Sequence, residues 1–274
     1  MRFAFTKMHG AANDFVAIDH RAAFLPADVG PLVRRLCDRR RGVGADGVLL
    51  LESAEGVDAV MRYYNADGGA ADYCGNGARC TARLALELGL GTGGRLRLAT
   101  AAGVQEAWRD GDRYVVRFGR VAAPVEVAGV EACGRSFAGR AVTAGVPHFV
   151  VEADDLAAVP LDQWGAALRR HTRWGAAGSN VDFVAARGED TVAMRTFERG
   201  VEGETLACGS GAIASALWAA ARGARSPVRV LTAGGDTLVV GFTRDGEHYD
   251  VTLAGPAEVA FRGEWSDADA SGGA

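Results

Sequence analysis

Short runs of β-branched and aromatic residues recur along the chain, most of them flanked by Gly, Asp or Asn. This pattern is typical of strands, and it predicts strands at residues 48–51, 59–64, 114–118, 148–153, 181–186, 192–197 and 237–242. Apolar residues at helical spacing are rarer. They predict two central Ala-rich helices at 77–88 and 211–222, and two outer helices at 30–40 and 162–171. Many strands around few helices indicate an α+β fold.

The two halves of the chain repeat the same order of features. RYYNADGGAADYCGNGARCTARLALELG followed by GRLRLATAAG corresponds to RTFERGVEGETLACGSGAIASALWAAARG followed by SPVRVLTAGG. Upstream, RLCDRRRGVGADGVLLLE resembles LRRHTRWGAAGSNVDFVAA, and KMHGAANDFVAID more weakly resembles VTAGVPHFVVEAD. Four matched segments in one order predict duplication of one α/β unit. We expect two pseudo-symmetric domains at residues 1–120 and 121–262, each a strand-rich, barrel-like unit around a central helix. The active site is expected in the cleft between them, and residues 263–274 as a disordered tail.

A cysteine stands where each Gly-rich turn enters a central helix: Cys74 in the first repeat and Cys208 in the second. A helix N-terminus presents unpaired N–H groups, binds anions such as a carboxylate, and lowers the pKa of a thiol. Either cysteine alone fits a small buried residue equally well. Two thiols on opposite faces of one α-carbon would supply the base and the acid that cofactor-free inversion requires. Cys80 is expected to pack in the core, and Cys37 and Cys133 lack a Gly-rich partner and have no evident chemistry.

Composition removes several classes of function. The net charge of −4 disfavours nucleic acid as a partner, and no apolar stretch has the length of a membrane span. The N-terminus does not resemble a signal peptide, so a cytoplasmic location is expected. Five cysteines without a CxxC pair, and five histidines without metal-ligand spacing, disfavour a disulfide scaffold and a metal site.

The motifs KMHGAANDF, NADG with CGNGARC, and ERGVEGETLACGSGA resemble signatures of the diaminopimelate epimerase family, over nearly the whole chain. The resemblance implies epimerisation of LL-2,6-diaminopimelate to the meso form, in lysine and peptidoglycan precursor synthesis. It implies a two-base thiol mechanism without pyridoxal phosphate, metal or other cofactor. The expected partner is a small amino-acid substrate, with neither nucleic acid nor membrane, and a homodimer is compatible with this interpretation.

The resemblance also assigns roles to single residues. Cys74 and Cys208 match the acid/base pair, and His148 and Glu198 match the groups that assist them. The backbone N–H groups that match the holders of the reacting carboxylate are those of Gly75, Asn76, Gly209 and Ser210. The side chains that match substrate contacts are Asn13, Asn65, Asn180, Glu198 and Arg199. Arg199 suits a distal carboxylate through bidentate pairing.

The chain departs from the family pattern at Val146, where Gly-Val-Pro-His replaces the usual Gly-Asn-Pro-His, and at Gly47, a common variant. Loss of a hydrogen bond to a charged group costs about 1.5–3 kcal/mol, enough to alter substrate preference. A racemase of histidine or of a basic amino acid on the same scaffold therefore stays open. More distant alternatives are a thiol–disulfide redox protein, a non-catalytic amino-acid binder and a phenazine-type isomerase, which lacks the cysteine pair.

Overall fold

A computed structural model describes residues 1–71 and 74–266 of the chain. The described chain forms two compact units. The first unit comprises Met1–Tyr114 together with the segment that starts at Pro256. The second unit comprises Val115–Gly255. Each unit is mixed α and β, as the sequence predicts.

The elements follow one another in two similar series. The series up to Asp110 contains β1 (Arg2–Gly10), β2 (Asn13–Asp19), α1 (Gly30–Cys37), β3 (Gly47–Glu52), β4 (Ala59–Asn65), α2 (Gly75–Glu87), β5 (Arg95–Thr100) and β6 (Gly103–Asp110). The remaining elements are β7 (Arg113–Ala122), β8 (Val125–Ala132), β9 (Arg135–Ala144), β10 (Val146–Glu152), α3 (Leu161–Arg169), a 3₁₀ turn (Thr172–Trp174), β11 (Asn180–Gly188), β12 (Thr191–Glu198), β13 (Gly203–Thr205), α4 (Gly209–Ala220), β14 (Val228–Leu231), β15 (Thr237–Asp245), β16 (His248–Gly255) and β17 (Glu258–Ser266).

Strand pairing shows the same duplication as the sequence. Along β1 to β6, successive pairs are antiparallel, parallel, antiparallel, parallel and antiparallel. Along β9, β10, β11, β12, β14 and β15, the same alternation recurs. In both units a helix provides each parallel connection: α1 and α3 join the first parallel pair, and α2 and α4 the second. Parallel neighbours need such crossovers because a tight turn cannot reverse the chain direction twice.

Each unit wraps its strands around one helix. The helix α2 contacts β1 to β6, and α4 contacts β9 to β12 and β14 to β16. Ten of the twelve residues of α4 are buried, and most are Ala or Gly. A helix that is apolar on all sides must be surrounded by protein, and small side chains let strands approach it closely. The predicted strand-wrapped central helices are confirmed.

The outer helices close the other side of each sheet. The helix α1 packs on β3 and β4 through Val33 and Leu36, within a cluster that includes Val48 and Leu50. The helix α3 packs on β8 and β11 to β13, in a cluster that includes Leu161. All four predicted helices and all seven predicted strands are present. The sequence does not predict several hairpin strands, including β6, β8, β9 and β16. Their exposed residues interrupt the run of apolar residues by which a strand is recognised.

The observed units differ from the predicted domain limits at both ends of the second unit. The chain leaves the first unit near Tyr114 instead of residue 120. The strand β17 pairs antiparallel with β1, with Trp265 opposite Phe3, so residues 256–262 belong to the first unit and 263–266 are strand. Sequence order alone could not reveal this, because β1 and β17 lie at opposite ends of the chain. Residues 267–274 of the predicted tail lie outside the described residues.

Candidate active site

The first thiol of interest belongs to Cys74, which caps the N-terminus of α2. Its backbone is extended, and Cys74 Sγ accepts a hydrogen bond from the N–H of Gly77 at 3.3 Å. Gly75 and Asn76 form the start of the helix, where N–H groups have no acceptor within the helix. A Cβ on Gly77 would come within 3.0 Å of Leu49 Cδ2. The glycine therefore lets the helix start approach β3 closely.

Asn13 orients an acceptor toward this thiol. Asn13 Oδ1 lies 3.6 Å from Cys74 Sγ and accepts a hydrogen bond from Asn76 Nδ2 at 3.2 Å. Asn76 Oδ1 accepts in turn from Nη2 of Arg79, a fully buried side chain, at 2.8 Å. At its other end, Asn13 Nδ2 donates to Asp46 Oδ2 at 2.8 Å. Because Asp46 can only accept when ionised, it sets which way the Asn13 amide faces.

A two-residue turn places Asn13 at the start of β2. Gly10 pairs with Asn13, and the intervening Ala11 and Ala12 have φ angles of 55° and 64°. Both values are left-handed, as a type I′ hairpin turn demands. Alanine in this region costs about 1–2 kcal/mol relative to a right-handed conformation. The chain thus holds local strain next to a candidate substrate-contacting residue, a common property of functional sites.

A cluster of hydrogen-bonded charged side chains lies next to the same turn. Lys7 Nζ donates to Asp14 Oδ2 at 2.5 Å, and Arg39 donates to both Asp14 oxygens. Arg39 also donates to Asp46 Oδ1 at 2.7 Å. Burial opposes the charge on Asp14, but hydrogen bonds and attraction from Arg39 and Lys7 lower its pKa to about 2. The carboxylate therefore stays ionised at neutral pH.

The second thiol, that of Cys208, has the same local geometry in the second unit. Cys208 is the extended N-cap of α4, and its Sγ accepts from the N–H of Gly211 at 3.4 Å. Gly209 and Ser210 start the helix. Ser210 Oγ lies 3.4 Å from Cys208 Sγ. A Cβ on Gly211 would come within 2.6 Å of Asp182 Oδ1, so the glycine is sterically required at this contact.

His148 is buried beside this helix start and bonded at both ring nitrogens. Nε2 lies 2.9 Å from Ser210 Oγ and 3.3 Å from Asn180 Nδ2. Nδ1 lies 2.7 Å from Asp182 Oδ2, and neither side chain is exposed. Asp182 Oδ1 accepts from the hydroxyl of Thr196 at 2.7 Å. A hydrogen-bonded chain therefore runs from Asp182 through His148 and Ser210 to Cys208.

The other predicted substrate contacts lie at the ends of strands. Asn65 ends β4 and Glu198 ends β12, the matching strand of the second unit. Glu198 Oε2 accepts from the hydroxyl of Thr205 at 2.8 Å. Asn180 Oδ1 accepts from the backbone N–H of Arg199 at 2.7 Å, so this buried amide holds the chain where Arg199 begins the loop. The roles of these residues in substrate binding stay predictions.

The electrostatic setting of Cys208 differs from the sequence expectation. Burial, followed by the charges of Glu198 and Asp182, raises the pKa of the Cys208 thiol well above its ordinary value. Hydrogen bonds from Ser210 and the N–H of Gly211 act in the opposite direction but do not overcome this. The prediction of a lowered thiol pKa is therefore wrong for Cys208. The raised pKa favours the protonated thiol of Cys208, which is the form that can donate a proton.

Of the remaining cysteines, two are buried and one is exposed, and Cys80 packs in the core as expected. Cys80 is fully buried in α2, and burial raises the pKa of its thiol to about 12. Burial likewise raises the pKa of Cys37 to about 11. Cys133 is exposed in a turn with φ 52°, and its Sγ lies 3.7 Å from the carbonyl oxygen of Gln163.

Sequence reasoning missed four residues that shape the two helix starts: Asp46, Arg79, Asp182 and Thr196. Asp182 had a detectable signal, because a carboxylate in the middle of SNVDFVAA interrupts an otherwise apolar strand. Such a residue is rarely buried unless it is paired. Arg79 had a weaker signal as the one charge in CGNGARC. Asp46 and Thr196 stand in patterns that fit exposed positions equally well.

In residues 1–71 and 74–266, no group of three His, Cys, Asp or Glu side chains is arranged to hold a metal ion. No helix of that described part of the chain is long and apolar enough to cross a membrane.

The same fold occurs in other solved structures. A phenazine biosynthesis protein of the PhzF family from Bacillus anthracis superposes with a TM-score of 0.73 at 14% identity, covering 97% of this chain and 99% of that chain. A hydroxyproline epimerase from Agrobacterium vitis superposes with a TM-score of 0.67 at 19% identity, covering 96% and 92%. At these identities the likeness establishes the fold: two repeats, each a helix wrapped in strands.

Sequence similarity identifies the family within this fold. Residues 5–123 and 140–259 match the diaminopimelate epimerase family. The diaminopimelate epimerase of Aquifex aeolicus is 37% identical, covering 96% of this chain and 98% of that protein. The enzyme of the same name from Archaeoglobus fulgidus is 42% identical, covering 89% and 91%. The chain belongs to the diaminopimelate epimerase family.

Proposed function

We propose that this protein interconverts LL- and meso-2,6-diaminopimelate with two cysteines, Cys74 and Cys208, as its acid/base pair. The observation that carries the proposal is the repeated helix start. In each unit a cysteine caps the central helix and accepts the N–H of the glycine three residues later, Gly77 or Gly211. Membership of the diaminopimelate epimerase family supports the reaction.

The proton chemistry balances without a cofactor. One cysteine, as thiolate, takes the α-proton: the C–H bond breaks, an S–H bond forms, and the electron pair stays on the substrate as a carbanion delocalised into its carboxylate. The other cysteine, as thiol, gives its proton to the opposite face, so its S–H bond breaks and a new C–H bond forms. The mechanism requires both thiols to reach the same α-carbon. The elevated pKa of Cys208 favours its thiol form in the free protein.

The first-turn amides of α2 and α4 supply the expected electrostatic stabilisation. Gly75, Asn76, Gly209 and Ser210 open the two helices. Fixed N–H dipoles at a helix N-terminus bind a carboxylate, and they stabilise the extra charge that this carboxylate acquires when the α-proton leaves. Because the dipoles are already oriented in the protein, they need no reorganisation during the reaction.

The distal end of the substrate sets the choice of amino acid. Arg199 is the expected partner of the distal carboxylate, with Asn65 and Glu198 as further contacts. Val146 starts β10 and is half-buried, and its side chain cannot donate a hydrogen bond. A charge-assisted bond from Arg is roughly twice as strong as a neutral one. We therefore favour diaminopimelate over histidine or a basic amino acid.

The test is α-proton exchange in deuterated water. The wild-type protein should convert LL- to meso-diaminopimelate and incorporate α-deuterium, monitored by NMR and chiral chromatography. Cys74→Ala and Cys208→Ala should each abolish epimerisation. Cys133→Ser, an exposed cysteine of the second unit, is the matched control and should retain activity. Turnover of histidine or lysine, but not of diaminopimelate, would contradict the substrate assignment and leave the thiol mechanism standing.

We also propose a cytoplasmic site of action. All five cysteines are free thiols, and the reaction needs two of them reduced, which a reducing compartment maintains. A homodimer stays a prediction, to be tested by light scattering.

A further inference from the structure

A buried polar triad lies behind the Cys208 helix start: His148, Asp182 and Thr196. Asp182 receives one hydrogen bond from His148 Nδ1 and one from the Thr196 hydroxyl, both at 2.7 Å. The three residues are each at most 1% exposed. Removing a carboxylate and an imidazole from water costs several kcal/mol before pairing offsets it. Such a cluster therefore calls for a reason beyond packing.

The first unit shows that the fold accepts an apolar side chain at the same position. Leu49 in β3 corresponds to Asp182 in β11. Leu49 is the residue that a Cβ on Gly77 of α2 would meet, and Asp182 is the residue that a Cβ on Gly211 of α4 would meet. Leu49 is as fully buried as Asp182. One repeat thus has an apolar side chain against the central helix where the other has a carboxylate.

The other two members of the triad have aromatic counterparts. Leu49 pairs with Tyr63 across the antiparallel ladder, as Asp182 pairs with Thr196. Phe15, on the neighbouring parallel strand β2, takes the place that His148 takes on β10. The rings of Phe15 and Tyr63 pack edge to face with centroids 5.8 Å apart. The first unit therefore builds the same framework from an aromatic pair and a leucine.

We propose that Asp182 is a positioning residue that fixes the tautomer of His148 and, through it, the hydrogen-bond direction at Cys208. This inference rests on the proposed function of Cys208. An ionised carboxylate only accepts, so His148 must carry its proton on Nδ1, and Nε2 is left as an acceptor. Nε2 then accepts from Asn180 Nδ2 and from the hydroxyl of Ser210.

This tautomer suits both protonation states of Cys208. With the thiol present, Cys208 S–H donates to Ser210 Oγ, while the Ser210 hydroxyl donates to His148. After Cys208 has given its proton to the substrate, the Ser210 hydroxyl turns to the thiolate, and Asn180 still satisfies His148 Nε2. The opposite tautomer would direct two N–H donors at each other, from His148 and Asn180. It would also remove His148 Nε2 as the acceptor of the Ser210 hydroxyl proton.

The test is Asp182→Asn, followed by ¹⁵N NMR of the imidazole of His148 in the free protein and by steady-state kinetics. Assignment of the His148 signals comes from His148→Gln. The wild-type protein should show the Nδ1–H tautomer, and Asp182→Asn should lose it. The kcat should fall by about 10²–10⁴-fold, the range for loss of a correctly oriented acid or base, with KM changed far less.

Thr196→Val is the matched control, because it removes the other hydrogen bond to the same buried carboxylate. It should lower thermal stability to a similar extent, retain the Nδ1–H tautomer, and reduce kcat less than Asp182→Asn does. An unchanged tautomer in Asp182→Asn, or an equal loss of kcat in both variants, would overturn the proposal.

A triple variant, His148→Phe with Asp182→Leu and Thr196→Val, separates fold from function. It replaces the polar triad with apolar side chains and is expected to fold with an unchanged circular dichroism spectrum while losing turnover. An unfolded triple variant would show that the polar triad serves the fold and would overturn the inference. The tautomer of His148 is measured without substrate. If the wild-type protein did not act on diaminopimelate, the proposed function would be refuted, and the tautomer measurement would still test the role of Asp182.

Discussion

Gly211 and Gly77 occupy the same helical position in the two units, yet substitution by alanine should destabilise the protein only at Gly211. A Cβ at Gly211 would lie 2.6 Å from Asp182 Oδ1 and 3.1 Å from Thr196 Oγ1. A Cβ at Gly77 would lie 3.0 Å from Leu49 Cδ2. The first contact involves atoms held by buried hydrogen bonds, whereas the second involves the end of a flexible apolar side chain.

The magnitudes follow from these contacts. In both helices, replacing Gly by Ala stabilises the helix by roughly 0.5–1 kcal/mol. At position 211, overpacking costs about 1–3 kcal/mol, and a displaced hydrogen bond to the Asp182 carboxylate costs about 1.5–3 kcal/mol. The expected net effect of Gly211→Ala is a destabilisation of about 2–4 kcal/mol. Gly77→Ala should be close to neutral, because rotation of Leu49 relieves most of the contact.

Differential scanning calorimetry of both variants and the wild type would measure this contrast. A loss of about 2–4 kcal/mol corresponds to a fall in Tm of roughly 4–16 °C for chains of this size. Combining Gly211→Ala with Asp182→Ala, which shortens the clashing side chain, should recover part of the overpacking cost. Equal stabilities of the two single variants would refute the argument that the Asp182 carboxylate is held rigidly against α4.

Three other predictions concern the substrate's distal end, the charge cluster and the hairpin turn. Val146→Asn should lower KM for diaminopimelate with little change in kcat, whereas Arg199→Met should raise KM at least tenfold, about 1.4 kcal/mol of binding; steady-state kinetics checks both. The pKa of Asp14 is lowered from 3.8 to about 2, so its contribution to stability is complete above pH 4 and disappears as the pH falls through about 2. Urea unfolding should accordingly show Asp14→Asn destabilised at pH 7, with the difference from wild type shrinking in acid. Ala12→Gly should raise the free energy of unfolding by up to about 1 kcal/mol, because glycine adopts a left-handed φ without strain; an unchanged or lower value would contradict the strain assigned to this turn.

Most of the secondary structure was predictable from local sequence patterns. The strands and the helices were recognisable because apolar periodicity and Gly-rich breaks are properties of neighbouring residues. The repeat around Cys74 and Cys208 predicted two similar helix starts, and the structure has both. The prediction that the helix start lowers the thiol pKa is wrong for Cys208, because burial and the charges of Glu198 and Asp182 outweigh the hydrogen bonds from Ser210 and Gly211. Burial at this position, and the approach of side chains from β11 and β12, depend on the packing of the second unit and not on residues next to Cys208.

Short motifs and their order were enough to predict the family, the duplicated α+β unit and the two cysteines at helix starts. That β17 completes the first unit became visible in the folded chain alone, because its partner β1 is at the other end of the sequence. Only the tertiary structure placed Asp182 behind His148 and Asp46 behind Asn13. Each of these contacts joins residues more than 30 positions apart, and strand register, which no local pattern encodes, determines which side chains meet.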